Sequence, residues 1–450
     1  MKLPHGGWED KSVNWHPSVF LSSLAILGLT ACTTAPAADP QVVRFDHLDA
    51  AEAPAGFSAN GLAALDAAMR KSVDDGLVRG ISTLLVKDGQ VINYDQYGIR
   101  RAADQAPVTE DTIFRIYSMS KPVTGVALMT LYEDGAFSLD DPITKFVPEL
   151  ADLKVFEGFD EAGEPILVNT DRPATMRELM SHTAGFAYGL FSDDPVNKMF
   201  AEAEVLAAPD MDTYVSRLAT VPLLYQPGTN WAYSTAVDLQ GYIVEKLSGK
   251  RFGQYLQDEI FGPLGMVDTG FYVPEEKRAR FSDVFTPDPE TGELVPLEAA
   301  SFAFRKGEIG MEKGGHGLVS TMGDYARFCQ MLVNGGELNG VRILEPETVA
   351  LMRTDVLPEG VGLFSDGVSP NPQMAGQGFG LDFAVYVDPS ATGASQPEGT
   401  YYWGGAAGTW FWIDPVNDLF FIGMIQRFPG GLDRSLRSES ADLVYRALAE

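Results

Sequence analysis

The 450-residue chain is 45% hydrophobic and 11% aromatic and carries 46 glycines and 28 prolines, enough apolar material for an enzyme-sized core joined by many loops. A formal net charge of -29 repels nucleic-acid phosphate and anionic lipid headgroups, which excludes a nucleic-acid partner and an electrostatic grip on a bilayer. Two cysteines, Cys32 and Cys329, exclude a disulfide framework.

In chain order, the first feature is an apolar run from Val19 to Leu29, the length of a signal-peptide h-region and too short to span a bilayer. Residues 1–18 form a long n-region containing Glu9 and Asp10, which points to a translation start inside it. Leu29-Thr30-Ala31-Cys32 then has the small residues of a bacterial lipobox, where the Cys32 thiol accepts the lipid. We therefore expect a signal peptide over 1–31, lipidation at Cys32, a tether over 32–55 rich in Ala, Pro and Asp, and a folded domain over 56–450. Secretion with cleavage near Ala35-Pro36-Ala37 is the alternative. Acyl chains at about 0.8 kcal/mol per buried methylene would hold the protein on a membrane surface in the cell envelope, periplasmic or extracellular.

Leu62, Leu65, Met69 and Val73 recur at helical spacing, and the strand-like segments Ile81 to Val86 and Val91 to Tyr97 flank an Asp88-Gly89 turn. From Lys121 to Asp134 the pattern is apolar on nearly every side, has Pro122 in its first turn and stops at Gly135, which predicts a buried helix with Ser118 at its N-terminal edge. Residues 140 to about 300 mix short helical patterns with turns, including a capping box at Thr175-Met176-Arg177-Glu178, and predict a mostly helical subdomain. Cys329 lies in an amphipathic helical pattern from Asp324 to Leu332, where a small buried thiol is ordinary core. Aromatic strands over Trp410 to Ile413 and Leu419 to Ile425 precede a last helix from about Leu432, so strands near both ends imply one sheet closed by them.

A serine hydroxyl holds its proton too tightly to attack a carbonyl, so catalysis needs a base beside it and donors for the oxyanion. Lys121, three residues after Ser118 at a helix start, shares its face and is the candidate base. A phenol presented from the turn-rich stretch before Tyr233-Ser234-Thr235 can relay protons, although a lone tyrosine is more often a packed aromatic. In Tyr402-Trp403-Gly404-Gly405-Ala406, glycines after an aromatic residue let a substrate approach the backbone, although an aromatic core beside a turn would look the same.

Taken together and in this order, these elements resemble the penicillin-binding protein and class C β-lactamase-like serine hydrolases, most closely the family VIII carboxylesterases. The resemblance covers about Phe57 to Ala449 and extends to Phe114 to Thr124, Met176 to Phe186, Gln226 to Ser234 and Gly314 to Thr321. It implies a β-lactamase-like three-layer α/β fold (α+β), an antiparallel sheet flanked by helices. It also implies Ser118 as nucleophile, Lys121 as base, Tyr233 as coupled acid and base, and an oxyanion hole from the backbone N–H groups of Ser118 and Ala406. Tyr188 would line the pocket with Trp403, Gly404 and Gly405, or be an ordinary packed tyrosine. Where β-lactamases carry Lys-Thr-Gly this chain has Trp403-Gly404-Gly405, and Tyr233-Ser234-Thr235 stands in place of Tyr-x-Asn. Loss of that lysine removes a cation suited to an antibiotic's carboxylate, and tryptophan offers an apolar wall, so the expected substrates are small-molecule carboxylic esters.

A nucleophile elbow of the form G-x-S-x-G does not occur. Of the five histidines, His5 and His16 fall in the targeting segment, His47 in the tether, and His182 and His316 in loops where structural hydrogen bonding is expected. Neither a metal-ligand spacing nor a phosphate loop is present, so no metal and no cofactor is expected. A weak β-lactamase, a D-alanyl peptidase, an acyltransferase and a non-catalytic envelope binding protein remain as alternatives.

Overall fold

In the computed structural model, which describes residues 43–50, 56–190, 192–298, 304, 309–363, 374–430 and 435–449, Asp88 and Gly89 take φ values of 51° and 71°. Two successive residues with positive φ match the twist of a tight hairpin, and they fold β1 (Gly80–Lys87) back on β2 (Gln90–Arg101). With β3 (Ala106–Pro107), β4 (Gln377–Phe379), β5 (Ala384–Tyr386), β6 (Tyr401–Gly404), β7 (Trp410–Asp414) and β8 (Leu419–Ile425), this hairpin forms an eight-stranded antiparallel sheet. Its strand order is β4-β5-β6-β7-β8-β1-β2-β3, with Ile81 opposite Ile425 and Lys87 opposite Leu419. The sheet is thus closed by strands from opposite ends of the domain, as expected.

Side chains alternate across the sheet with the period of two that strands impose. On one face Ile81, Leu85, Trp412 and Phe421 pack with Leu62, Leu65 and Met69 of α1 (Ala59–Asp74) and with Ala441 and Val444 of the C-terminal helix, Leu436–Ala449. On the other, Leu84, Phe411, Phe420 and Ile422 meet Val123 and Val126 of α2 (Ser120–Glu133) and Phe328 of the helix Met322–Val333. This is the expected three-layer arrangement. Apolar on nearly all sides, α2 is buried along almost its whole length and stops before Gly135, whose φ of 72° ends the helix.

The middle of the chain contains α3 (Met176–Met180), α4 (Pro195–Glu202), α5 (Met211–Leu218) and α6 (Ala236–Ser248). Thr175 Oγ1 accepts from the Glu178 backbone N–H at 3.3 Å, and Glu178 Oε2 accepts from the Thr175 N–H at 2.8 Å, the reciprocal cap expected there. Such a cap contributes about 1 kcal/mol. Two hairpins, Lys154–Phe159 with Pro165–Asn169 and Phe285–Pro287 with Leu294–Pro296, interrupt the helices and were not expected.

The expected signal peptide, Cys32 and most of the tether lie outside the described residues. Residues 43–50, assigned to the tether by composition, are laid against the body: Phe45 and Leu48 are buried, and the Phe45 ring meets Phe420 edge-on at 6.3 Å. Asn339 clamps the segment, accepting from the Val43 N–H at 2.9 Å and donating to its carbonyl at 2.8 Å. Residues 43–50 accordingly pack as part of the folded body. Burying a phenylalanine is worth about 1.5–3 kcal/mol, which outweighs the polar average of the neighbouring sequence. Cys329 is fully buried and burial pushes its thiol well up, the environment of an unreactive core residue. Among the described residues no helix is long and apolar enough to cross a membrane.

Candidate active site

Ser118 sits in a single 3-10 turn, Tyr117–Met119, between the short strand Phe114–Arg115 and α2. That strand is pinned twice by Gln426, whose side chain accepts from the Arg115 N–H at 3.0 Å and donates to the Arg115 carbonyl at 2.9 Å. The turn that follows is sharp enough to put Tyr117 at φ 42°, a left-handed conformation that costs a non-glycine residue about 1–3 kcal/mol. Ser118 is therefore held half-exposed at the start of a buried helix, while Ser120 and Lys121 behind it are buried.

Lys121 Nζ lies 3.4 Å from Ser118 Oγ and donates to the Gly315 carbonyl at 2.7 Å. The same Nζ is 4.5 Å from the centre of the Tyr233 ring and 5.4 Å from that of Tyr188. Gly315 is itself fixed, because its N–H donates to Asp238 Oδ1 at 2.9 Å and the other carboxylate oxygen accepts from Thr235 Oγ1 at 3.1 Å. Asp238, fully buried on the first turn of α6, thereby positions the carbonyl that orients Lys121. Its contribution was missed in the sequence. The only trace there was an acidic residue five positions after Tyr233.

Aromatic side chains enclose the remaining sides. Tyr233 stands 5.5 Å from Tyr188, 5.5 Å from Trp403 and 5.2 Å from His182, ring centre to ring centre. Trp403 also meets Phe379 at 5.4 Å, and its indole N–H is buried without an acceptor among the described residues. His182 shares a hydrogen bond of 2.9 Å between Nδ1 and Ser234 Oγ, and burial holds its pKa well below the ordinary value. His316 Nδ1 is 3.3 Å from the Tyr188 hydroxyl and 3.9 Å from Asp238. Burial pushes His316 down to about 4 although Asp238 pulls the other way, so both imidazoles are neutral near pH 7. The hydrogen bonds expected of the two histidines are present.

The β6–β7 hairpin approaches the segment before Ser118 through its glycines. A Cβ on Gly405 would collide with the Ile116 carbonyl and the Thr409 hydroxyl, so only glycine lets the hairpin tip lie against the backbone two residues before Ser118. Ala406 follows at the tip; its carbonyl accepts from the Gly430 N–H at 2.8 Å, and its own N–H has no acceptor among the described residues. Gly405→Ala is expected to push the tip away from Ser118 and lower ester turnover by about 100-fold with little change in secondary structure, as kinetics beside circular dichroism would show. Unaltered turnover would contradict this account of the hairpin.

Beside Tyr117 and His316 opens a cavity of about 600 Å³ walled largely by Leu206, Phe271, Phe304, Ile309 and Met311, with Lys313 also in its lining. These residues come from segments a hundred positions apart, and nothing in their local sequence marks them.

A family model described as Beta-lactamase matches residues 65–446. The chain belongs to the Beta-lactamase family. This Beta-lactamase family member is 35% identical to Protein Rv1367c of Mycobacterium tuberculosis over 81% of its length and 89% of that protein. It is 29% identical to Esterase EstB of Burkholderia gladioli, covering 87% of this chain and 98% of EstB. Among solved structures, it superposes on the simvastatin synthase LovD of Aspergillus terreus with a TM-score of 0.74 at 25% identity, covering 86% of this chain and 98% of LovD. EstCE1, described as a hydrolase with promiscuous acyltransferase activity, gives a TM-score of 0.69 at 25% identity over 86% of this chain and 99% of that one.

Proposed function

We propose that this serine hydrolase cleaves carboxylic esters through an acyl-Ser118 intermediate. The observation that carries the reading is a buried amine 3.4 Å from Ser118 Oγ with a tyrosine ring packed against that amine, beside a hairpin whose Gly405 lies against the Ile116 carbonyl two residues before Ser118. In its neutral form Lys121 takes the Ser118 proton as Oγ attacks the ester carbonyl carbon. Negative charge gathers on the carbonyl oxygen and is met by the N–H groups of Ser118 and Ala406. Tyr233 passes its proton to the leaving alcohol oxygen as the C–O bond breaks and takes back the proton that Lys121 removed from Ser118, and the same groups then activate water against the acyl-enzyme. Trp403 supplies an apolar wall for the substrate, with Gly404 and Gly405 allowing its approach to the backbone. EstB is named an esterase, which supports the ester reading.

A second reading, transfer of the acyl group to an alcohol other than water, is favoured by the description of EstCE1 as a hydrolase with acyltransferase activity. Turnover of para-nitrophenyl acetate, para-nitrophenyl butyrate and a chromogenic cephalosporin, each with and without added butanol, tests both readings. Ester hydrolysis that leaves the cephalosporin nearly untouched is expected, and butyl ester formation would assign transfer. Cephalosporin turnover faster than either ester would sink the proposal.

A further inference from the structure

The cavity beside His316 holds a charge that the proposed chemistry does not use. Lys313 lies in its lining with apolar neighbours, and its Nζ donates to the Leu206 carbonyl at 2.7 Å. Burial holds this ammonium below its ordinary pKa, with Asp238 pulling weakly the other way. Lys71, Lys145, Lys250 and Lys277 each pair with a carboxylate, whereas no carboxylate among the described residues comes within ion-pair distance of Lys313. An ammonium has three donors and the Leu206 carbonyl occupies one, so two are open to a ligand that displaces solvent. A carboxylate accepting from this partly buried ammonium would make a charge-assisted hydrogen bond, stronger than one between neutral groups.

We infer that the cavity takes an apolar arm of the substrate ending in a carboxylate, with Lys313 binding that carboxylate. The preferred substrates are thus half-esters or ester-acids: one carboxyl group esterified and cut at Ser118, a second free and held at Lys313. The inference rests on the ester reading of the site and adds the chemical class of the ester.

The test compares matched pairs on the full enzyme. On the acyl side, para-nitrophenyl hexanoate is set against the para-nitrophenyl monoester of adipic acid; on the alcohol side, hexyl butyrate is set against the butyrate ester of omega-hydroxyhexanoic acid. In one of the pairs the acid-ended member should have a kcat/KM about tenfold or more above its neutral partner, mainly through KM. That ratio should fall to about one in Lys313→Met and in Lys313→Gln, the second of which keeps a donor for the Leu206 carbonyl. A lysine that only fastened the Leu206 segment would lower both members together and leave the ratio unchanged. Ratios near one in the wild type, or a preference that survives both substitutions, would overturn the inference. If no ester is turned over, the esterase reading falls, and the inference is decided by calorimetry on Ser118→Ala: adipate should bind more tightly than hexanoate, and equal binding overturns it.

Discussion

Ser118→Ala is expected to lower ester turnover by roughly 10⁴-fold or more while leaving stability within about 0.5 kcal/mol of wild type. The first part follows from chemistry. Lys121 at 3.4 Å can remove a proton only from a group that has one, and the neighbouring serine cannot take its role, because Ser120 is buried and accepts from the Leu318 N–H at 3.1 Å. The second follows from packing, since Ser118 is half-exposed and the turn around it is held by backbone bonds and by Gln426. Intact-mass analysis after a serine-reactive phosphonate should show one adduct on wild type and none on the variant. Undiminished labelling of Ser118→Ala would remove Ser118 from the chemistry.

Lys121→Met is expected to cost about 10³-fold or more in turnover, the upper part of what a positioned general base supplies. Methionine keeps most of the volume between the Tyr233 and Tyr188 rings, so the loss reports the amine and not a cavity. Two effects on stability oppose each other. The Gly315 carbonyl loses its donor, which costs about 1–3 kcal/mol for a buried group, while removal of a buried polar amine returns a desolvation penalty of similar size. Thermal unfolding should therefore move little. Near-wild-type rates in a folded Lys121→Met would show that the proton leaves Ser118 by another route.

What could be read from the sequence was what a single turn or a single strand contains. Ser118 and Lys121 lie one helical turn apart, so their spacing already places them on one face, and the alternation in β7 and β8 already gives the two faces of the sheet. Trp403 and Ala406 were reachable as neighbours within one hairpin. Links between distant segments were not. The chain from Asp238 through Gly315 to Lys121 joins three elements that no local pattern connects, and the contact of Gly405 with Ile116 depends on how a hairpin meets a loop almost three hundred residues earlier. Residues 43–50 were misread for a different reason: averaged over a window, Phe45 and Leu48 vanish into polar surroundings, yet two apolar side chains three apart suffice to dock a short segment.

The pairing of β1 with β8 has a consequence for how the protein is made. β1 leaves the ribosome early and must wait through more than three hundred residues for the strand that hydrogen-bonds its second edge. A fold with so central a non-local contact is slow to complete, and until β8 arrives the β1–β2 hairpin presents an unpaired apolar edge. Because α2 packs against that same sheet, the turn bearing Ser118 has no platform before then. The nascent chain should thus be inert and adhesive for most of its synthesis, and should depend on holding chaperones during that interval.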